Sequence, residues 1–196
     1  EKFGHTLDND TVAEMAAHNI EGLEDAFRSF GLDGTQVLLK DDVNLPVAVA
    51  VLNNTTQFGY ELSIAQIAKI AKNVQDIEDF KSALRSLPLE EVERLYAVGI
   101  PFSEFSKVQA SLFKKKYASD FDSTLALSEK LSRNDEYDKL NRAFKVFSLK
   151  EVEEILGQRA SLSGVLEVGE ALKGKGIETD LQEIVRFEKL AGHGWG

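Results

Sequence analysis

The stretch AFKVFSLKEVEEIL, Ala143–Leu156, has two relatives in the same chain: ALRSLPLEEVERLY, Ala83–Tyr96, and AFRSFGLDGTQVLL, Ala26–Leu39. Each opens on Ala, an apolar residue, and Arg or Lys. A second large apolar residue follows two positions later, Leu stands seventh, and a pair of large apolar residues closes the stretch. A catalytic site usually occurs once, whereas a pattern present three times is usually architecture. The sixth position holds Gly31, Pro88 or Ser148. These are a helix stopper, a helix breaker and a capping residue. Each stretch therefore predicts the end of one helix, a tight corner and the start of the next. Ser148 with Glu151 forms a capping-box pattern. Glu90, Glu91 and Glu151 follow the corner, where a helix N-terminus favours negative charge.

The separations are 57 residues from Ala26 to Ala83 and 60 from Ala83 to Ala143. Repetition at such a period is a first-order statement about fold. At the same offsets Leu45, Phe102 and Leu162 share one column, Ala48, Phe105 and Val165 a second, and Val51, Val108 and Val168 a third. Columns three residues apart lie on one helix face. Asp120 matches Asp180, and Leu112 matches Leu172. The expected fold is all-α: about three tandem helical repeats of 57–60 residues, stacked as an elongated or compact bundle. The expected divisions are an N-terminal lead-in helix over 1–22, a divergent repeat over 23–78, a second over 79–137, and a third over 138–196 with a Gly-rich tail. PVAVAVLNN, Pro46–Asn54, reads locally as a strand from its Val-Ala alternation. Its place in the repeat predicts helix instead, with Pro46 near the helix start.

Composition narrows the functional classes. The 196 residues are 43% hydrophobic and 29% charged, enough for a sizeable core. A formal charge of −10 argues against binding to nucleic acid or to an anionic membrane, both of which are negative. The one dense basic run, Lys114-Lys115-Lys116, reads as a solvated face. The chain has no cysteine, so disulfides, thiolate catalysis and cysteine zinc sites are excluded. No apolar run approaches the roughly 20 residues that span a bilayer. The chain starts at Glu1 without an initiator Met, as expected of a mature fragment.

The corner resembles a module of the WY-domain effectors of oomycete pathogens, the RXLR-type secreted proteins. That module ends a helix on an F-x-x-L-x-L-[DE] element, turns through a Leu-rich segment, and enters a helix carrying Trp and Tyr. AFRSFGLD followed by VLLKDDVNLPVAVAVLNN looks like that run, and AFKVFSLKEVEEILGQRASLSGVLEV is similar. The likeness is one of repeated pattern over about two thirds of the chain. The signature aromatics are replaced: the Trp column holds Ala48, Phe105 and Val165, and the Tyr column Val51, Val108 and Val168. The lone tryptophan, Trp195, lies in the terminal GHGWG. The resemblance implies a protein secreted by a pathogen, delivered to the host cytoplasm or nucleus, and acting by binding host proteins rather than by catalysis. A structural or scaffold repeat protein is the alternative expectation. An upstream secretion signal with an R-x-L-R segment would separate the two.

The motifs that could carry chemistry have plainer readings. DFDSTLA, Asp120–Ala126, looks like the D-x-D-x-T motif of haloacid-dehalogenase-type phosphatases, where the first Asp attacks phosphorus, the second serves as acid and base, and both hold magnesium. That chemistry needs a buried parallel strand before the motif, but FKKKYAS precedes it. Asp120 and Asp180 are therefore expected to be N-caps, and an Asp120/Asp122 phosphatase is the remote alternative. Asp8 and Asp10 lack the further ligands of a calcium loop and read as a helix start. His5, His18 and His193 form no metal-ligand pair. LKGKGIETD, Leu172–Asp180, lacks the full phosphate-loop pattern, and Gly174 or Gly176 is expected to close the preceding helix. No catalytic, metal or cofactor residue is expected.

Overall fold

The computed structural model of the chain describes residues 21–192. Among them are eleven α-helices, one short 3-10 turn and no strand. In chain order these are α1 (Leu23–Lys40), α2 (Leu45–Gln57), α3 (Ile64–Ala71), α4 (Ile77–Ser86), α5 (Leu89–Ala97), α6 (Phe102–Lys114), α7 (Phe121–Ser132), the 3-10 turn Tyr137–Lys139, α8 (Leu140–Val146), α9 (Leu149–Gly157), α10 (Leu162–Gly174) and α11 (Leu181–Gly192). The fold is all-α. The Pro46–Asn54 segment is helical, with Asn44 capping the helix by accepting from Val47 N at 3.1 Å. The lead-in helix expected over 1–22 falls almost wholly outside the described residues, as do Asp8, Asp10, the three histidines and Trp195.

Each predicted corner is a break between two helices. Gly31 interrupts α1 with φ 68°, ψ −176°, a conformation that glycine adopts without a Cβ penalty. Leu87 is extended and Pro88 precedes α5. Phe147 is extended, and Ser148 caps α9 in a full capping box with Glu151. Ala26, Ala83 and Ala143 are wholly buried at the three corners. Phe144 is buried, while Phe147 and Leu149 are only half-buried because the chain turns outward there.

Past the corners the helix limits recur. Adding 57 to the limits of α2 gives those of α6, and adding 60 to α6 gives α10. The helix ends recur too. After the corner helix, Asp42, Gly99 and Arg159 all take positive φ, and after the next helix Gly59, Lys116 and Gly176 do the same. All six are Schellman ends. At the last three, Tyr60 N, Tyr117 N and Ile177 N each donate to the carbonyl five residues back at 3.0 Å.

The protein divides into two compact units, Glu1–Phe102 and Ser103–Gly196, a boundary inside the 79–137 segment. The packing explains that phase. In the first unit α2 and α3 pack against the corner pair α4–α5, and one apolar core joins Val51, Ile67 and Ile70 to Phe80, Ala83 and Leu84. In the second unit α6 and α7 do the same with α8–α9, joining Val108, Leu112 and Leu127 to Leu140, Ala143 and Phe144. A core thus forms where the last helices of one stretch meet the corner of the next.

Candidate functional site: an apolar groove on the C-terminal unit

Three structurally matched grooves arise from this arrangement. Each is walled by the helix after the corner (α2, α6 or α10), the Schellman turn that ends it, and the following helix (α3, α7 or α11). The first and second are filled from within the chain. In the second, Tyr117 packs against Phe144 at 5.4 Å between ring centroids, and Leu149 N donates to Tyr117 Oη at 3.3 Å. In the first, Tyr60 occupies the matching turn position and packs against the core that contains Leu84.

The third groove has no such filling among the described residues. Its volume is about 660 Å³, and Val146, Phe147, Leu172, Ile177, Thr179 and Ile184 help to line it. Position by position, the loss of cover is large. Thr55 and Leu112 are 0% and 1% exposed, but the matching Leu172 is half-buried. On α11, outside the groove lining, Phe187 is 50% exposed where Ile70 and Leu127 are each 2% exposed. Tyr117 is half-buried, whereas Ile177 is 49% exposed. Val146, on the rim, is 59% exposed where the other corners carry Ser29 and Ser86. These residues are apolar, yet among the described residues little lies over them. Exposed apolar surface gathered in one place, rather than scattered singly, marks an interaction site. Thr179 Oγ1, in the wall, is buried without a hydrogen-bond partner.

The groove is held by polar fastenings outside it. Glu136 is 4% exposed and accepts from Ser161 Oγ at 2.6 Å, Leu162 N at 2.9 Å and Ser163 N at 3.0 Å, tying the first turn of α10 to the segment before α8. Asp79 does the matching work in the first unit, accepting from Phe102 N and Tyr96 Oη, each at 2.7 Å. Burial, and next the hydrogen bond to Asp79, pushes the Tyr96 phenol well above its ordinary range. Arg142 on α8 reaches Glu170 on α10 at 2.6 Å along the groove edge.

Of the residues singled out in the sequence, Asp120 caps α7: its carboxylate accepts from Ser123 N and Ser123 Oγ, each at 2.9 Å. Those hydrogen bonds hold its carboxyl below the usual carboxylate range. Asp180 caps α11 through Glu183 N at 2.9 Å. Asp120 and Asp122 sit at a helix start after a loop, not at the end of a strand, and Asp122 is exposed. Lys114, Lys115 and Lys116 are all exposed where α6 ends. Gly174 is the last residue of α10, and Gly176 comes two residues later with φ 69°. Among the described residues no group of three or more His, Asp or Glu side chains is placed to hold a metal, and no helix is long and apolar enough to cross a membrane. Reading the sequence did not find the groove. The signal was present in the columns: Leu172, Ile177 and Ile184 stay apolar at positions matching Leu112, Tyr117 and Thr124.

Comparison of the chain with protein-family models, with curated proteins and with solved structures gives no match.

Proposed function

We propose that the chain is three tandem copies of one helical unit and acts without catalysis, as a secreted pathogen effector that binds a host protein and alters plant immunity. The observation that carries the binding part of this reading is the apolar groove of the third stretch, open where two matched grooves are filled. Stacked helical units characteristically present surfaces to partners. The effector part rests on the likeness of the corner motif, Ala26–Leu32 and Ala143–Leu149, to the WY-type module. The negative charge of −10 supports a protein partner over nucleic acid.

Expression inside leaf cells of a susceptible plant tests the whole reading. The expected result is a changed defence output, with a specific host protein recovered from the same tissue by affinity capture. An unchanged defence output together with no host protein recovered over an unrelated helical control would end the effector proposal.

A further inference from the structure

We propose that the turn ending α6, built on Phe113, Lys114, Lys115 and Lys116, docks an acidic segment of a protein partner that also sets an apolar side chain on Phe113. The surface shares no residue with the lining of the apolar groove, and it rests on the reading of the chain as a protein binder. The formal charge of −10 is unevenly spread: residues 1–102 carry most of it, whereas acids and bases nearly balance over residues 103–196. Within that second unit cations gather at one place. Lys114, Lys115 and Lys116 are consecutive and exposed. Tyr117, next along, touches the corner between α8 and α9: its ring lies 5.4 Å from that of Phe144, and its Oη accepts from Leu149 N at 3.3 Å. Lys145 and Lys150 directly follow those two residues and are also exposed, so packing brings five lysines around one turn. None of the five is paired with a carboxylate among the described residues. The acids that come next in sequence, Asp120 and Glu151, are engaged in helix caps with Ser123 and Ser148.

The architecture does not require these lysines. The matched turn of the first unit carries Thr56, Gln57, Phe58 and Gly59, and the matched corner carries Arg85 and Glu90. Lys116 also stands in the left-handed region, at φ 59°, where both matched turns have glycine, Gly59 at φ 79° and Gly176 at φ 69°. A Cβ at either glycine would meet nothing within 4 Å, so glycine is favoured there by backbone conformation and not by space. The α6 turn therefore carries a backbone strain that its two relatives avoid, and with it a third adjacent cation, the mark of a functional position. Phe113 is 76% exposed where the first unit has Thr56. Lysines around an exposed ring fit a short acidic segment better than an extended polyanion. A bilayer or a duplex spreads negative charge over a wide area and would also meet the acidic remainder of the chain. A short segment meets the turn alone, with carboxylates on the lysines and an apolar side chain on Phe113.

The probe is a fluorescein-labelled peptide of Asp and Glu with two leucines, about a dozen residues long, titrated into the full chain and followed by anisotropy. Saturable binding that weakens with added salt is expected. Replacing both Lys114 and Lys115 by Gln should weaken it about tenfold, and Phe113→Ser about threefold with the salt dependence unchanged. Lys116→Gly separates binding from fold because its two effects have opposite signs. The melting temperature should rise by about 2 °C as the backbone strain is relieved, while peptide binding weakens about threefold. No binding at low salt, or equal binding by wild type and the Lys114→Gln, Lys115→Gln variant, overturns the proposal. So does a Lys116→Gly chain that binds as well as wild type or melts no higher, since the lysine would then serve the helix end and not a ligand. Tighter binding to phosphatidylserine-phosphatidylcholine vesicles or to a DNA duplex than to the peptide would assign the turn to an extended polyanion and overturn it too. Light scattering adds one outcome: a dimer dispersed by the double substitution makes a second copy of this chain the occupant and likewise overturns it. Peptide binding without any effect in leaves would sink the effector reading and leave the turn assignment standing. Host capture unaffected by the double substitution would do the reverse.

Discussion

Leu112 and Leu172 are the same residue, at the same place on matched helices, and they differ in what lies above them. Leu112 is sealed by the next corner of the chain, whereas Leu172 faces an open groove. The contrast separates two jobs that an apolar residue performs on helices of matched limits. At Leu112 it supplies cohesion between packed helices. At Leu172 the same chemistry lines an open groove, and covering it would be worth of the order of 25 cal/mol for each Å².

The contrast can be broken most directly by truncation. Leu112→Ala empties a fully buried site and is expected to cost about 2 to 5 kcal/mol, whereas Leu172→Ala should cost about 1 kcal/mol or less because water already reaches it. Urea denaturation of both variants checks this. Equal losses would mean that the third groove is covered in solution.

A second variant asks whether the third stretch is built as firmly as the second despite its open side. Glu136→Ala removes the acceptor from two backbone amides and one hydroxyl at the start of α10. Leaving buried donors unpaired should cost about 2 to 3 kcal/mol. A loss near zero in the same denaturation series would show that α10 is not fixed by that carboxylate, and the groove wall would then be soft rather than preformed.

The smallest effect is one of pH, in the first unit. Tyr96 has its phenol pushed up by burial and by its hydrogen bond to Asp79. A group whose acidity is weakened by folding contributes stability that is complete below its unfolded pKa, about 10 for tyrosine. That contribution is lost as pH rises above this value. Wild type should therefore lose stability between about pH 10 and 12, and Tyr96→Phe should lose less over that window while starting about 1 kcal/mol lower at neutral pH. Parallel pH profiles for the two proteins would remove Tyr96 as the cause.

The corners were legible in the sequence because their chemistry is local. Ser148 with Glu151, Pro88 before α5 and Gly31 at positive φ each act on backbone groups within four residues, so a short window contains the whole cause. The helical state of Pro46–Asn54 was legible only through the repeat, since its alternating Val and Ala suit either structure by themselves. Two features were not legible. Glu136 and Asp79 look like ordinary surface acids in the sequence, and their capping of helices more than twenty residues away depends on how the chain returns in space. The open groove was hidden for a related reason. Whether Leu172, Ile177 or Phe187 is covered depends on a further corner arriving over them, not on the residues around them.

The absence of cysteine makes the central contrast measurable one position at a time. Leu127→Cys and Phe187→Cys place a single thiol at matched positions of α7 and α11, and a soluble thiol reagent reads how often each meets water. Phe187→Cys is expected to label at nearly the rate of a free thiol, and Leu127→Cys slower by orders of magnitude, because buried positions react only through opening of the fold. Equal rates at the two positions would contradict it.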